Sequence, residues 1–257
     1  MIPQLLRQLV LCMSLVLGAI PFSHAADGLP EQFDATYILS VGPLELAEMT
    51  RKLHPKGNGS YIYESNSKAI GYARWFTKSV LVERSEWIYN NRQLRPLIYS
   101  YDRTGDKKKE RHVKLIFDWQ NGRVTNIIND DPWKMELPVT AQDKLLYQLA
   151  LVNDLRLGKR TQLEYNVADG GSVKVIKFEI VGEERIKTDI GEFDTLKVKT
   201  EGTRTTTLWC AKALGYFPVL IEQHDDRGQA QLKLTHLSGI AIPTLQPDKK
   251  PSAPVIK

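Results

Sequence analysis

The 257-residue sequence has little cysteine, only Cys12 and Cys210, so a disulfide-built scaffold is excluded. Metal-ligand spacing is missing as well. The histidines beyond the first 25 residues, His54, His112, His224 and His236, stand at no ligand spacing from one another or from a cysteine. HExxH, the Gly-x-Ser-x-Gly of a nucleophile elbow and the GxxxxGK phosphate loop are all absent. Past the N-terminus no apolar run approaches the roughly 20 residues of a spanning helix. Composition excludes collagen, extended disorder and a polytopic membrane protein: 42% of residues are hydrophobic and 25% charged, an ordinary globular balance. A chain of this length buries roughly 70–75% of its unfolded surface and needs no metal or cross-link to fold. The length suits one or two domains, and an all-β unit uses it as one.

The N-terminus is a different kind of segment. Arg7 is the only charge before Asp27, Leu9 to Ile20 is almost unbroken apolar sequence, and Pro21 ends it. Ser23-His24-Ala25 then places small residues at the −3 and −1 positions. This is the three-part pattern of a secretory signal peptide, cut after Ala25. The apolar run is too short to span a bilayer. The short signal looks bacterial, so the expectation is a periplasmic protein with no transmembrane span after cleavage. Cleavage leaves Cys210 alone. It follows Leu208-Trp209 and reads as a buried small hydrophobe.

The mature body reads as strands and tight turns. Phe33, Ala35, Tyr37 and Leu39 alternate with Asp34, Thr36 and Ile38. Val113, Leu115, Phe117 and Trp119 share one face, with Lys114 and Asp118 on the other, and Asn121-Gly122 follows as a two-residue hairpin signal. Further strands are expected from 44 to 53, 60 to 64, 80 to 87, 97 to 101, 124 to 128 and 162 to 167. Others are expected from 173 to 181, 183 to 187, 193 to 200, 203 to 209, 219 to 223 and 231 to 237. One segment breaks the rhythm. Leu145, Leu149, Val152 and Leu155 form a helical stripe, with Thr140 as cap, Asp143 in the first turn and Gly158 as stop. The expected helix runs over about 140–157, with its broad apolar face against a sheet. From Ala241 the pattern ends, and Pro243, Pro247, Pro251 and Pro254 mark a disordered tail over 241–257. A single β-rich domain is therefore expected over 26–240. Trp87 precedes Pro96, and Trp209 precedes Pro218, by the same interval, and each proline opens a strand that ends in a charged turn. Two related half-sheets around the helix would fit.

The second copy of that pattern carries a resemblance. Trp209, then Leu214-Gly215-Tyr216-Phe217-Pro218-Val219-Leu220-Ile221 and Asp226-Arg227-Gly228, resembles the C-terminal signature of the DUF3108 family. Ala141-Gln142-Asp143-Lys144-Leu145 and Gly191-Glu192-Phe193-Asp194-Thr195-Leu196 are similar to that family too, and the resemblance covers roughly residues 30–240. It implies an exported bacterial protein with a β-rich fold and carries over no catalytic residue. The Trp…Pro…Gly hairpin is loosely similar to periplasmic lipoprotein carriers, in which a curved sheet wraps a helix and shelters acyl chains.

Remaining chemistry is sparse. Glu222, His224, Asp225 and Asp226 read as a solvated turn rather than a cation site. Gly57-Asn58-Gly59-Ser60 links two strands, with no helix to present its dipole to a phosphate. The adjacent pairs Asp130-Asp131, Glu183-Glu184 and Asp225-Asp226 cannot flank one bond as glycoside hydrolysis requires. No cofactor or metal is expected. From Arg103 to Lys114 six cations stand against two anions. Lys107, Lys108, Lys109 and Arg111 are thus candidates for contact with an anionic envelope component or a partner protein, but not nucleic acid. The 26–240 body carries only +2 in all, so the basic character is confined to this hairpin and the tail.

The expected fold is mainly β, a strongly curved antiparallel sheet or incomplete barrel with the 140–157 helix on its concave side. Trp87, Tyr99, Tyr101, Trp119, Leu145, Leu149 and Trp209 are the candidates to line a hollow between sheet and helix. The leading function is non-enzymatic binding of an apolar or amphiphilic envelope component, such as a lipid. The alternatives are a structural module docking on another envelope protein and an enzyme acting on envelope polymers.

Overall fold

The computed structural model describes residues 29–90, 93–202, 204–226 and 228–242. The expected leader lies outside them, as do the expected tail from Pro243 onward and Thr203 and Arg227. Among the described residues, fifteen strands form a single sheet. The first eight are β1 (Phe33–Val41), β2 (Leu44–Gly57), β3 (Ser60–Ala69), β4 (Val80–Asn90), β5 (Gln93–Thr104), β6 (Arg111–Asp118), β7 (Arg123–Ile128) and β8 (Asp131–Glu136). After β9 (Ala141–Asp143) comes the helix α1 (Leu146–Arg156). The return consists of β10 (Leu163–Ala168), β11 (Val173–Thr188), β12 (Gly191–Thr200), β13 (Thr205–Ala211), β14 (Phe217–Asp225) and β15 (Gly228–Ser238).

The chain meanders outward from β1 to an edge at β8. It then crosses to the other edge, β9, and meanders back until β15 pairs with β1 at the centre. Every pairing is antiparallel except β9 with β10. Laid flat, fifteen strands at the usual spacing would put the two edges about 65 Å apart. The link from Glu136 to Ala141 reaches at most about 18 Å. The sheet must therefore roll up. It rolls past closure rather than into a barrel, because β9 lands on β4 and β5 rather than on β8. Gln142 Nε2 donates to the Leu94 carbonyl at 2.7 Å, and Ser85 Oγ donates to Asp143 Oδ2 at 2.5 Å.

α1 packs inside the roll with Leu146, Leu149, Leu151, Val152 and Leu155 buried. It starts later than the expected 140. Residues 141–143 pair with Asn166 to Ala168 as β9, and Thr140 Oγ1 accepts from Asn166 Nδ2 at 2.8 Å instead of capping the helix. Asp143 takes that role from the strand. Its Oδ1 accepts the N–H groups of Leu145 at 2.9 Å and Leu146 at 2.7 Å. At the other end Gly158 adopts the left-handed conformation that stops the helix, as expected.

The strands differ from expectation in two further places. β8 is an added edge strand, which tolerates Pro132 because an edge need not donate on both sides. β11 is one long strand where two were expected. A bulge near Gly182, at φ 145°, absorbs the apparent break. The two Trp…Pro hairpins share a device. In β4–β5 Trp87 faces Pro96 and the register slips at Leu97; in β13–β14 Cys210 faces Pro218 and slips at Val219. Each slip directly follows the proline, which has no N–H to give the ladder.

Asp143 is fully buried, and burial pushes its pKa from 3.8 up to about 6 against the hydrogen bonds that favour its charge, with Glu83 adding to the rise. A carboxyl that holds its proton more tightly when folded stabilises the fold below its unfolded pKa. That contribution disappears as pH rises through about 6. Asp143→Asn should flatten the decline in urea midpoint across this window. Asp143→Ala, which removes the helix cap, should cost about 2 kcal/mol in the same unfolding measurement.

Candidate functional site

Strand alternation decides what faces the inside of the roll. On β2, Met49, Arg51 and Leu53 point inward; on β4, Glu83, Ser85 and Trp87 do; on β13 and β14, Leu208 and Ile221 do. One end of the interior is filled with rings. Phe33 meets Phe217 edge-on at 5.0 Å and Tyr63 at 5.9 Å, and Trp87 stacks on Tyr61 at 4.8 Å. Towards the other end a cavity of about 220 Å³ remains. Leu39, Met49, Leu208, Ile221 and Leu232 form its aliphatic walls, and Phe178 and Tyr147 complete the apolar lining. It opens beside the exposed Gln223, at the rim that carries the strand ends Val41, Leu44, Thr104, Arg111 and Asp225.

Two charged groups interrupt this apolar lining. Arg51 is 6% exposed. Its Nη1 donates to Tyr63 Oη over a long 3.5 Å, and its guanidinium lies 5.6 Å from the centre of the Tyr37 ring. Its buried Nε has no partner, and among the described residues Arg51 forms no ion pair. Burial opposes the Arg51 charge, but Tyr63, Tyr37 and Glu83 outweigh it, so the group stays a cation. Glu83 accepts the Tyr99 hydroxyl at 2.6 Å. A buried cation with an orphaned donor is an unusual, costly arrangement unless something else accepts from it.

The residues expected to line a hollow do not line this cavity. Trp87, Leu145 and Leu149 are buried in the core, and Tyr101 packs against it. Tyr99 reaches the cavity only through Glu83. Trp119 belongs to the far end, where it lines a separate cavity of about 130 Å³ together with Ala150 and Asn153 of the helix, and its Nε1 donates to the Pro96 carbonyl at 2.8 Å beneath Arg95. Trp209 alternates with Leu208 and so sits on the opposite face, where its Nε1 donates to Glu184 at 2.9 Å and Lys197 lies over its ring. Arg51 does not stand out in the sequence, because one arginine in a strand of mixed pattern looks like a surface residue. The available signal was its place between Met49 and Leu53 on an inward face. Lys107, Lys108, Lys109 and Arg111 are all exposed, at the rim where the cavity opens. Among the described residues only Lys109 of these four has a carboxylate partner, Asp106 at 3.5 Å.

Other chemistry is confined to structural roles. Asp143 is sealed beneath the helix and does not line the cavity, so it and Glu83 do not face one cleft. Cys210 is buried, and burial pushes its thiol up to about 12, which suppresses the reactive thiolate. Among the described residues no three His, Cys, Asp or Glu side chains gather as metal ligands, and no helix is long and apolar enough to cross a membrane.

If Arg51 serves a ligand rather than the fold, Arg51→Met should change unfolding free energy by less than about 1 kcal/mol, or raise it. A guanidinium that held the fold together would cost about 3–5 kcal/mol on removal. Denaturant unfolding of the two proteins measures the difference.

The fold has a solved counterpart. A beta-barrel-like protein of the DUF1849 domain of unknown function from Brucella abortus superposes with a TM-score of 0.55 at 9% identity, covering 82% of this chain and 98% of its own. A putative lipoprotein from Parabacteroides distasonis covers 81% and 95% at 11% identity, but its TM-score of 0.33 supports no structural argument. No curated protein matches the sequence. The family model described as "Protein of unknown function (DUF3108)" matches residues 32–235, nearly the whole rolled sheet, and the chain belongs to that family.

Proposed function

We propose that the protein binds a single-tailed amphiphile of the cell envelope, with an acidic head, in the cavity of the roll, and does so without catalysing a reaction. The observation that carries this reading is Arg51, a buried cation with an unpartnered Nε at an otherwise largely apolar cavity. Aliphatic walls suit a hydrocarbon tail. The guanidinium fork suits a carboxylate or phosphate, which Arg binds through two parallel N–H donors. The volume of about 220 Å³ lies below the roughly 300–1,000 Å³ of drug-sized sites, which favours one short or medium chain over a two-tailed lipid.

The site of action in this reading is the periplasm, reached through a leader cut after Ala25. Produced in a bacterium from the full sequence, the exported protein should begin Ala26-Asp27-Gly28, as N-terminal sequencing would show.

Ligand binding is tested by calorimetry with a medium-chain fatty acid and the alcohol of equal chain length. The acid should bind about tenfold to a hundredfold more tightly, the worth of a charge-assisted hydrogen bond. Arg51→Met should abolish that preference while leaving the alcohol's affinity unchanged. Failure of both compounds to bind would overturn the reading.

A further inference from the structure

The rim at the cavity mouth carries a second, separate feature. Between β3 and β4 the chain makes a short 3₁₀ turn over Gly71–Trp75, and three rings there stand in solvent: Tyr72 at 75%, Trp75 at 82% and Phe76 at 87% exposure. Isolated exposed apolar residues are common, but a cluster of this size marks a contact surface. Val41 and Leu44, exposed in the neighbouring β1–β2 turn, extend it. The loop is held in place. Ile70 N–H donates to the Leu46 carbonyl at 3.0 Å, Phe76 N–H to the Ala73 carbonyl at 3.1 Å, and Arg74 Nε to the Ala69 carbonyl at 3.2 Å. Tyr72 and Trp75 meet edge-to-face at 5.9 Å. The rings are therefore presented ready for contact, with little ordering left to do on binding.

The basic hairpin lies directly beside this loop. Gly105 packs so tightly on residues 78 and 79 that a Cβ there would collide with the Lys78 carbonyl. Arg74 and Lys78 add two cations to the six against two found from Arg103 to Lys114. Arg103 and Arg111 are direct cross-strand partners, a like-charge pairing that destabilises a hairpin unless an anion lies near. Among the described residues neither Lys107 nor Lys108 has a carboxylate partner.

We propose that this rim docks on an anionic lipid bilayer, with Tyr72, Trp75 and Phe76 entering the headgroup region and Lys107, Lys108, Lys109 and Arg111 resting on the lipid phosphates. Tryptophan and tyrosine favour that interface because one molecule must be apolar and hydrogen-bonding at once. Clustered lysine beside them favours lipid over protein, since lysine is depleted at protein–protein interfaces and enriched where anionic headgroups are met. Docking this way would turn the cavity mouth towards the membrane.

The test is partitioning of the protein, produced from its full sequence, onto phosphatidylglycerol-containing and pure phosphatidylcholine vesicles. The parent should prefer the anionic vesicles, and added salt should weaken that preference. Replacing Lys107, Lys108 and Lys109 with glutamine should reduce anionic binding by about a hundredfold, at about fivefold per cation. Trp75→Ala with Phe76→Ala should reduce binding to both vesicle types by about tenfold or more. Brominated lipid should quench the parent's fluorescence, and Trp75→Phe should remove that quenching while binding persists. Equal partitioning of parent and lysine variant, or quenching that survives Trp75→Phe, would overturn the proposal. No vesicle binding at all would also overturn it and assign the rim to a protein partner. Any contribution of residues 1–25 is common to every variant. Ligand affinity in the cavity is measured separately, so failure of either inference leaves the other standing.

Discussion

The short crossing between β8 and β9 governs the architecture. Sequence neighbours at opposite edges of a fifteen-strand sheet can be joined by four residues only if the sheet rolls. Everything inside follows from where the second edge lands. Because β9 docks on β4 and β5, the helix that follows it starts inside the roll, with its first N–H groups on Asp143. The carboxylate is then trapped between helix and sheet, and its raised pKa measures how thoroughly water has been removed there. One connection thus sets the curvature, the position of the helix and the one strongly shifted acid.

The helix also divides the interior. Its leucines and the rings of Phe33, Tyr63, Trp87 and Phe217 pack together towards one end, while a gap bordered by Phe178 and Tyr147 remains towards the other. A gap of that kind in an apolar core normally costs stability, through lost dispersion contacts. Placing a guanidinium beside it adds a second cost, the desolvation of a charge without a close counter-ion. Packing Met at position 51 would relieve the second. Two unfavourable choices at one place, both relieved by the same occupant, fit a binding site better than a packing fault.

Much of the fold was legible because half-buried strands print their period on the sequence. Phe33 to Leu39 and Val113 to Phe117 alternate so regularly that the inward face follows directly. The helix was legible through its leucine stripe. Its start was not, because Ala141 to Asp143 make a parallel pair with residues far along the chain, and long-range pairing leaves no local period. The site was less legible for the same reason. Which inward residues border a void depends on how far the sheet curls, and Trp87, Trp119 and Leu149 look no different in sequence from Leu208 or Ile221. The basic hairpin was visible as composition, but its neighbour was not: nothing local in the sequence shows that the turn carries Trp75 and Phe76 into solvent.

Rim and cavity meet for a geometric reason. In a meandering sheet the turns alternate between two ends, so the 41–44, 70–79 and 105–110 connections must share one. At the ring-filled end Trp119 is bonded to the Pro96 carbonyl and Tyr37 to the Pro218 carbonyl. In the proposed reading the ligand would use the mouth beside Gln223, at the other end. There the body concentrates its charge: 26–240 totals +2, yet 103–114 alone supplies +4, leaving the remainder slightly acidic. A uniformly basic protein would be drawn to an anionic surface in any orientation. This one confines its basic cluster to a single hairpin at the rim, and in the proposed docking that hairpin would meet an anionic surface first. Orientation matters because an apolar ligand crossing water exposes its whole tail, at roughly 0.8 kcal/mol for each methylene. In the proposed docking, an opening pressed to the bilayer would remove that barrier, so the small cavity and the basic, aromatic rim would act together.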